Sequence, residues 1–174
     1  MVLRELIPGA TVVGFLINPQ NPTSTPQISD VQTAARSLGV ELRVLNASSE
    51  REIDTAFGSA VEQHVNAVVV GADSVFLSRR DQLVGLAARY ALPAIYYVRE
   101  FAVAGGLISY GASITDAYRL AGRYAGRILN GEKPADLPIQ PTVKFELAIN
   151  LKTAKTLGLT VPPSLLTSAD DVIE

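Results

Sequence analysis

The sequence predicts an α/β protein built on a doubly wound parallel sheet, with helices on both faces. Three observations carry that prediction. Short apolar runs alternate along the chain with segments whose apolar residues recur every three or four positions. The runs are β-branched and apolar almost throughout, as strands covered on both faces must be. The order strand, helix, strand recurs with short connections, which calls for crossovers that bring each strand back parallel to the last.

Thr11 to Asn18 (TVVGFLIN) is the first such run. Pro19 to Pro26 is a polar, proline-rich loop. Gln27 to Leu38 then places Ile28, Val31, Ala34, Ala35 and Leu38 on one helical face, and Gly39 stands where a helix C-terminus favours glycine. Glu41 to Ala47 (ELRVLNA) is the second strand. Ser48 and Ser49 precede Glu50 and Glu52, an N-cap followed by acids in the first turn. That helix runs through Ile53, Ala56, Phe57, Ala60 and Val61 to about His64. Ala67 to Ala72 (AVVVGA) is the third strand, and Ser78 is the expected cap of a helix reaching Tyr90, before Pro93. Ala94 to Val98 (AIYYV) is the fourth strand. A short segment from Glu100 to Ala104 leads through Gly105-Gly106 to the fifth, Leu107 to Tyr110 (LISY).

The remainder is less regular. Ile114 to Leu129 is an amphipathic helix with Ala117, Tyr118, Ala121, Ala125, Ile128 and Leu129 on its apolar side, closed by Gly131 and Pro134. Lys133 to Thr142 carries three prolines and reads as an extended connector. Phe145 to Asn150 (FELAIN) is a short strand. Asn150 or Lys152 opens a helix that stops at Gly158, and Pro162-Pro163 and an acidic tail follow.

Composition narrows the function. A net charge of −2 gives no electrostatic case for nucleic acid, so no nucleic-acid partner is expected. No apolar stretch reaches the length of a membrane span. Cysteine is absent, which removes disulfides, thiol catalysis and cysteine metal sites. The N-terminus does not read as a signal peptide, so the expectation is either a cytoplasmic chain or a fragment without its export signal.

Catalytic signatures are missing. The single histidine, His64, falls at a helix C-terminus, where the macrodipole alone explains it. Neither a G-x-S-x-G turn nor a G-x-G-x-x-G or Walker-type loop occurs. Asp170-Asp171 is expected to be solvated in the tail, and the pair Asp73 and Asp116 does not make a metal site. No enzyme activity, cofactor or metal is expected. What remains is a set of polar strand-to-helix loops, which in a parallel sheet all emerge on the edge where such sheets bind ligands. Asn18, Asn21 and Ser24 follow the first strand and suit a carboxylate or hydroxyl. Asp73, Ser74 and Phe76 follow the third, with Asp73 suited to a cation and Phe76 to stacking. Glu100 follows the fourth. Tyr110, a second stacking candidate, and Gly111 follow the fifth. Turn chemistry and N-capping explain several of these residues as well, and the two roles are compatible.

Three long strings carry a family resemblance: IPGATVVGFLINPQNP, LPAIYYVREFAVAGGLISYG, and the run from Arg127 to the C-terminus that includes KPADLP, KFELAIN and KTAKTLGLTVPP. Over essentially its whole length the chain resembles the C-terminal half of ABC transporter substrate-binding proteins, including their TrpX-like periplasmic components. The resemblance implies a type I periplasmic binding protein fold, in which two Rossmann-like lobes joined by hinge crossings hold a ligand between them. It implies that residues 1–112 are the second lobe. Residues 113–174 are then the helix, connector, strand and final helix that return to the first lobe and hinge. The first lobe and the export signal or lipoprotein cysteine of the family are not in this sequence.

The expected function is therefore the solute-binding component of an ABC-type importer, with a small solute such as an amino acid and a membrane permease as partners. The apolar side of Ile114 to Leu129 would lack its usual cover, so a homo-oligomer or a segment swap is also expected. A small-molecule sensor domain of LacI-like type, working with a separate DNA-binding partner, is the alternative.

Overall fold

Strand burial orders the whole chain. The computed structural model of the protein describes residues 2–138 and 144–174. After a short helix α1 (Val2–Leu6), β1 (Val12–Ile17) enters between two parallel neighbours and is buried from Val13 onward. Helix α2 (Ser24–Leu38) leads to β2 (Glu41–Asn46), α3 (Glu50–Glu62) to β3 (Ala67–Val70), and α4 (Ser74–Ser78) with α5 (Arg80–Arg89) to β4 (Ala94–Tyr96). Then come α6 (Arg99–Val103), β5 (Ile108–Ala112) and α7 (Ile114–Leu129). A single 3₁₀ turn, Pro134–Asp136, follows in the connector, whose continuation at 139–142 lies outside the described residues. Strand β6 (Phe145–Asn150), helices α8 (Leu151–Thr156) and α9 (Pro163–Ser168), and strand β7 (Asp171–Ile173) complete the chain.

The seven strands form one sheet in the order β2-β1-β3-β4-β5-β6-β7. The first five are parallel; β6 runs antiparallel to β5, and β7 parallel to β6. The doubly wound parallel fold is as the apolar runs predicted. One core packs Leu16, Val68, Val70 and Tyr96 against Ile53, Phe57, Phe76, Leu83 and Phe101 of helices α3 to α6. A second gathers Leu6 of α1, Ala154 of α8 and Leu165 of α9 around Leu107, Ile108, Leu147 and Ile149.

Several boundaries differ from expectation. Helix α2 begins at Ser24 rather than Gln27, because Pro26 falls in its first turn, where a missing N–H costs nothing. Ser78 caps no helix: it closes the short α4, whose N-cap is Asp73, and its hydroxyl donates back to the Val75 carbonyl at 2.8 Å. Strand β4 stops at Tyr96, which leaves Tyr97 and Val98 outside it. Strands β6 and β7, which follow residue 112, extend the same sheet beyond β5.

The acidic tail is anchored. Asp170, exposed as expected, pairs with Lys144 at 2.7 Å and accepts the Leu147 N–H at 3.0 Å. Asp171 begins β7 and takes the Arg99 guanidinium, whose Nε lies 2.8 Å from its Oδ2. The Lys144 ammonium, followed by the Leu147 N–H, holds the Asp170 carboxyl below its ordinary value of 3.8. Folding thus favours its charged form. The stability this contributes is present above the unfolded carboxylate range and is lost as pH falls through the lower folded value. Asp170→Asn should therefore lower Tm at pH 7, and the gap to the unaltered protein should narrow in thermal melts as pH falls below the ordinary carboxylate value of 3.8. A gap that stays constant with pH would contradict this.

Candidate binding rim

A sheet ordered β2-β1-β3 reverses its winding direction between β1 and β3, and helices leave to opposite faces there. The loops after those two strands diverge and leave a crevice at the carboxyl edge. Asn18 follows β1 and Asp73 follows β3, and both are buried. Asn18 Nδ2 donates to Asp73 Oδ2 at 3.2 Å, and Asn21 Nδ2 donates to the same oxygen at 2.7 Å. The other oxygen of Asp73 accepts the Val75 N–H at 2.8 Å and caps α4. One carboxylate therefore fastens both loops of the switch point together.

The Asn18 and Asn21 side-chain oxygens are used locally, in turns on Gln20 N (3.0 Å) and Thr23 N (2.9 Å). Ser24 is also turned inward: it is buried, and its hydroxyl donates to the Asn18 carbonyl. Its expected contact with an anion is replaced by this internal bond. Ser74 is exposed at the start of α4. Phe76 needs correction. Its ring is 0% exposed and belongs to the core between the sheet and helices α3 to α6, so it has no face to offer a ligand. A helix of one turn must bury something to stay docked, and Phe76 is the buried residue of α4.

Tyr97, read from the sequence as a strand residue, proves central. Its hydroxyl donates to the Asp73 carbonyl at 2.6 Å and spans from the end of β4 to the end of β3. Burial pushes that hydroxyl up to about 12, and the nearby charges of Asp73 and Glu100 add to the shift. Glu100, exposed in the first turn of α6, is thus electrostatically within reach of the same rim. Gly111 of β5 lies hard against the Tyr97 backbone, where a Cβ would land on the Tyr97 carbonyl oxygen. Only glycine permits that approach.

Tyr110 precedes Gly111, so the strand alternation turns it to the other side of the sheet. It is 52% exposed, and its ring stands 5.8 Å from that of Phe145, itself 61% exposed, at an interplanar angle of 29°. The carboxyl edge therefore holds two groups. Asn18, Asn21, Asp73, Tyr97 and Glu100 make a polar one, and Tyr110 with Phe145 an aromatic one. Sequence reasoning missed Tyr97, Phe145 and Gln27. The Gln27 side chain brackets the residue before Asp73, accepting the Ala72 N–H at 3.2 Å and donating to its carbonyl at 3.4 Å. No group of His, Asp and Glu that could hold a metal ion occurs among the described residues.

Among the described residues the edge offers amide, carboxylate and hydroxyl groups beside exposed aromatic rings. A profile of the ABC transporter substrate binding protein family matches residues 1–173. The chain belongs to the ABC transporter substrate binding protein family. Its solved neighbours agree. A protein of Streptococcus pneumonia, described as an ABC domain in complex with L-Trp, is 26% identical with a TM-score of 0.87, over 99% of this chain and 58% of that one. A conserved domain protein from Vibrio cholerae is 20% identical with a TM-score of 0.86, over 98% and 57%. A substrate binding protein with adhesive properties from Clostridium difficile, in a ligand-free open structure, is 21% identical with a TM-score of 0.73, over 99% and 57%. The chain thus spans a little over half the length of these proteins. No curated protein sequence matches it. The family is one of substrate-binding proteins.

Asp73→Ala removes the α4 cap and the acceptor of two buried or half-buried amides. A lost N-cap costs ~1 kcal/mol and an orphaned buried amide ~1–3 kcal/mol, so Tm should fall by roughly 5–10 °C. Differential scanning calorimetry would read this directly, and a shift within a degree would show that the carboxylate fastens nothing.

Proposed function

We propose that this chain is a solute-gripping lobe of the binding component of an ABC-type importer, and that its rim takes a small solute of amino-acid type. The observation that carries this reading is the charge balance at Asp73. Among the described residues the bonded partners of its carboxylate are the Asn18 and Asn21 amides and the Val75 N–H. Neutral dipoles hold the carboxylate in place without cancelling its charge. The potential they leave at the switch point favours an ammonium group over an anion. Asn18, Asn21, Ser74 and Glu100 supply further polar contacts, and the exposed pair Tyr110 and Phe145 suits a flat apolar side chain. The L-Trp complex of the similar Streptococcus protein supports this chemistry.

Substrate-binding proteins of this family are normally extracytoplasmic, and we place this chain in the same setting with a membrane permease as partner. Closure around the solute needs only a higher affinity of the closed state for it, and no chemical step. Binding is tested by thermal shift and calorimetry on the purified chain with L-Trp and other amino acids, and with pentoses as the contrasting class. Amino acids should raise Tm progressively with concentration. Asn21→Ala and Tyr110→Ala should each weaken the response roughly 3- to 10-fold. A response to pentoses alone, or to no solute, rejects the reading.

Helix α7 supports the two-body character of the assembly. It is strongly amphipathic, yet none of its residues is buried; Tyr118 is 76% and Leu129 87% exposed. In a protein of the relatives' length its apolar side is proposed to pack on further chain, and in this chain on a second copy. Sedimentation equilibrium should accordingly give a dimer at micromolar concentration. A monomer at every concentration tested would remove the second copy from the proposal.

A further inference from the structure

Strand β3 ends at Val70, and Gly71 still donates to the Leu16 carbonyl of β1 at 2.8 Å. Past that bond, side chains from other elements take up the backbone groups of the chain. Gln27 of α2 accepts the Ala72 N–H at 3.2 Å and donates to the Ala72 carbonyl at 3.4 Å. Tyr97 donates its hydroxyl to the Asp73 carbonyl at 2.6 Å. The same carbonyl accepts the Leu77 N–H at 3.1 Å, but Leu77 belongs to the short helix that Asp73 caps, so that bond ties Asp73 only to its own element. Of the two bonds on the carbonyl, the one from Tyr97 ties it to the next strand end.

Tyr97 is itself held from two sides. Its ring leans on the buried Phe101, with centroids 5.5 Å apart at an interplanar angle of 59°. Its backbone is pressed by Gly111 of β5, where a Cβ would land on the Tyr97 carbonyl oxygen. A carboxylate reads an ammonium through hydrogen bonds that weaken steeply once distance and angle leave the favourable range. Two torsions separate the Asp73 oxygens from its backbone, so the placement of that backbone sets the placement of the oxygens. We propose that Tyr97 is a positioning residue for the solute site, and that its hydroxyl sets the preference of the site for a ligand carrying an ammonium group. It acts through Asp73, with Gly111 keeping Tyr97 in place, and it does not itself touch the solute. The inference rests on the reading of Asp73 as the ammonium partner. Removing the hydroxyl leaves the ring, its contact with Phe101 and the close approach of Gly111 unchanged, and releases the Asp73 carbonyl from the end of β4. The aromatic pair Tyr110 and Phe145 is untouched, so affinity for the ammonium falls while affinity for the flat part of the solute is kept. The consequence is a change of selectivity, which is a difference between two affinities.

The test is calorimetric titration of the purified chain with L-Trp and with indole-3-propionate, which keeps the ring and the carboxylate but lacks the ammonium. The unaltered chain should bind L-Trp more tightly. In Tyr97→Phe the ratio of the two affinities should fall about 3- to 10-fold, through weaker binding of L-Trp alone. Asp73→Asn keeps a side chain able to cap α4. In that background Tyr97→Phe should leave the ratio where it stands, because a residue acting only through the carboxylate has nothing left to position. A Tyr97→Phe chain that keeps the original ratio, whether or not it weakens both solutes alike, overturns the proposal and leaves the amino-acid reading standing. A further loss of preference in the Asp73→Asn background overturns it in the same way. An unaltered chain that binds neither solute, or shows no preference for L-Trp, rejects the reading of Asp73 and this inference with it.

Discussion

The architecture of the rim depends on one buried carboxylate at the place where the sheet changes winding direction. Two strands end side by side there, and the loops beyond them must part to feed helices on opposite faces. Nothing in the sheet itself holds those loops in register with each other. Asp73 does so by accepting from Asn18 and Asn21 on one side while capping α4 on the other. Tyr97 then extends the tie to the next strand through the Asp73 carbonyl. Four hydrogen bonds link three strand ends into one surface. A binding site needs this kind of preorganisation, since each loop fixed in advance is one whose entropy the ligand need not offset.

The same economy explains why polar residues of the rim are divided between structure and exposure. Ser24 and most of the hydrogen-bonding capacity of Asn18 are turned inward, while Asn21 is half-buried and Ser74 and Glu100 face solvent. Tyr110 and Phe145 stand on the neighbouring pair of strands with about half of each ring in water. The two rings shield each other in part, at a centroid separation of 5.8 Å.

The layout of the sheet was legible in the sequence for a simple reason. Strands buried on both faces leave continuous apolar runs, and TVVGFLIN, AVVVGA and AIYYV can hardly be anything else at that length. The connections fixed parallel pairing, and parallel pairing put the strand-end loops on a single edge, so Asn18, Asn21 and Asp73 could be singled out before any coordinates. What was not legible was orientation within one turn. Phe76 and Tyr97 are both aromatic residues near strand ends, but the start of α4 points one into the core and the early end of β4 frees the other for the rim. Single-turn helices and strands of three residues carry too little periodicity to settle such a choice. The pairing of the acidic tail, whose Asp170 is exposed as expected, was not legible for a related reason. Asp170 and Asp171 are polar by composition, and only tertiary placement supplies Lys144 and Arg99. Family likeness carried the reading of function further than residue chemistry could alone.

Ser113 and Lys144 add a mechanical consequence. The chain departs for α7 and comes back within one hydrogen bond, Ser113 N to Lys144 O at 2.7 Å, at the mouth of the antiparallel pair β5 and β6. The sheet therefore grips both ends of the excursion through α7 at a single point, next to the register pair Ala112 and Phe145, so that residues 31 apart in the chain share one peptide-to-peptide bond.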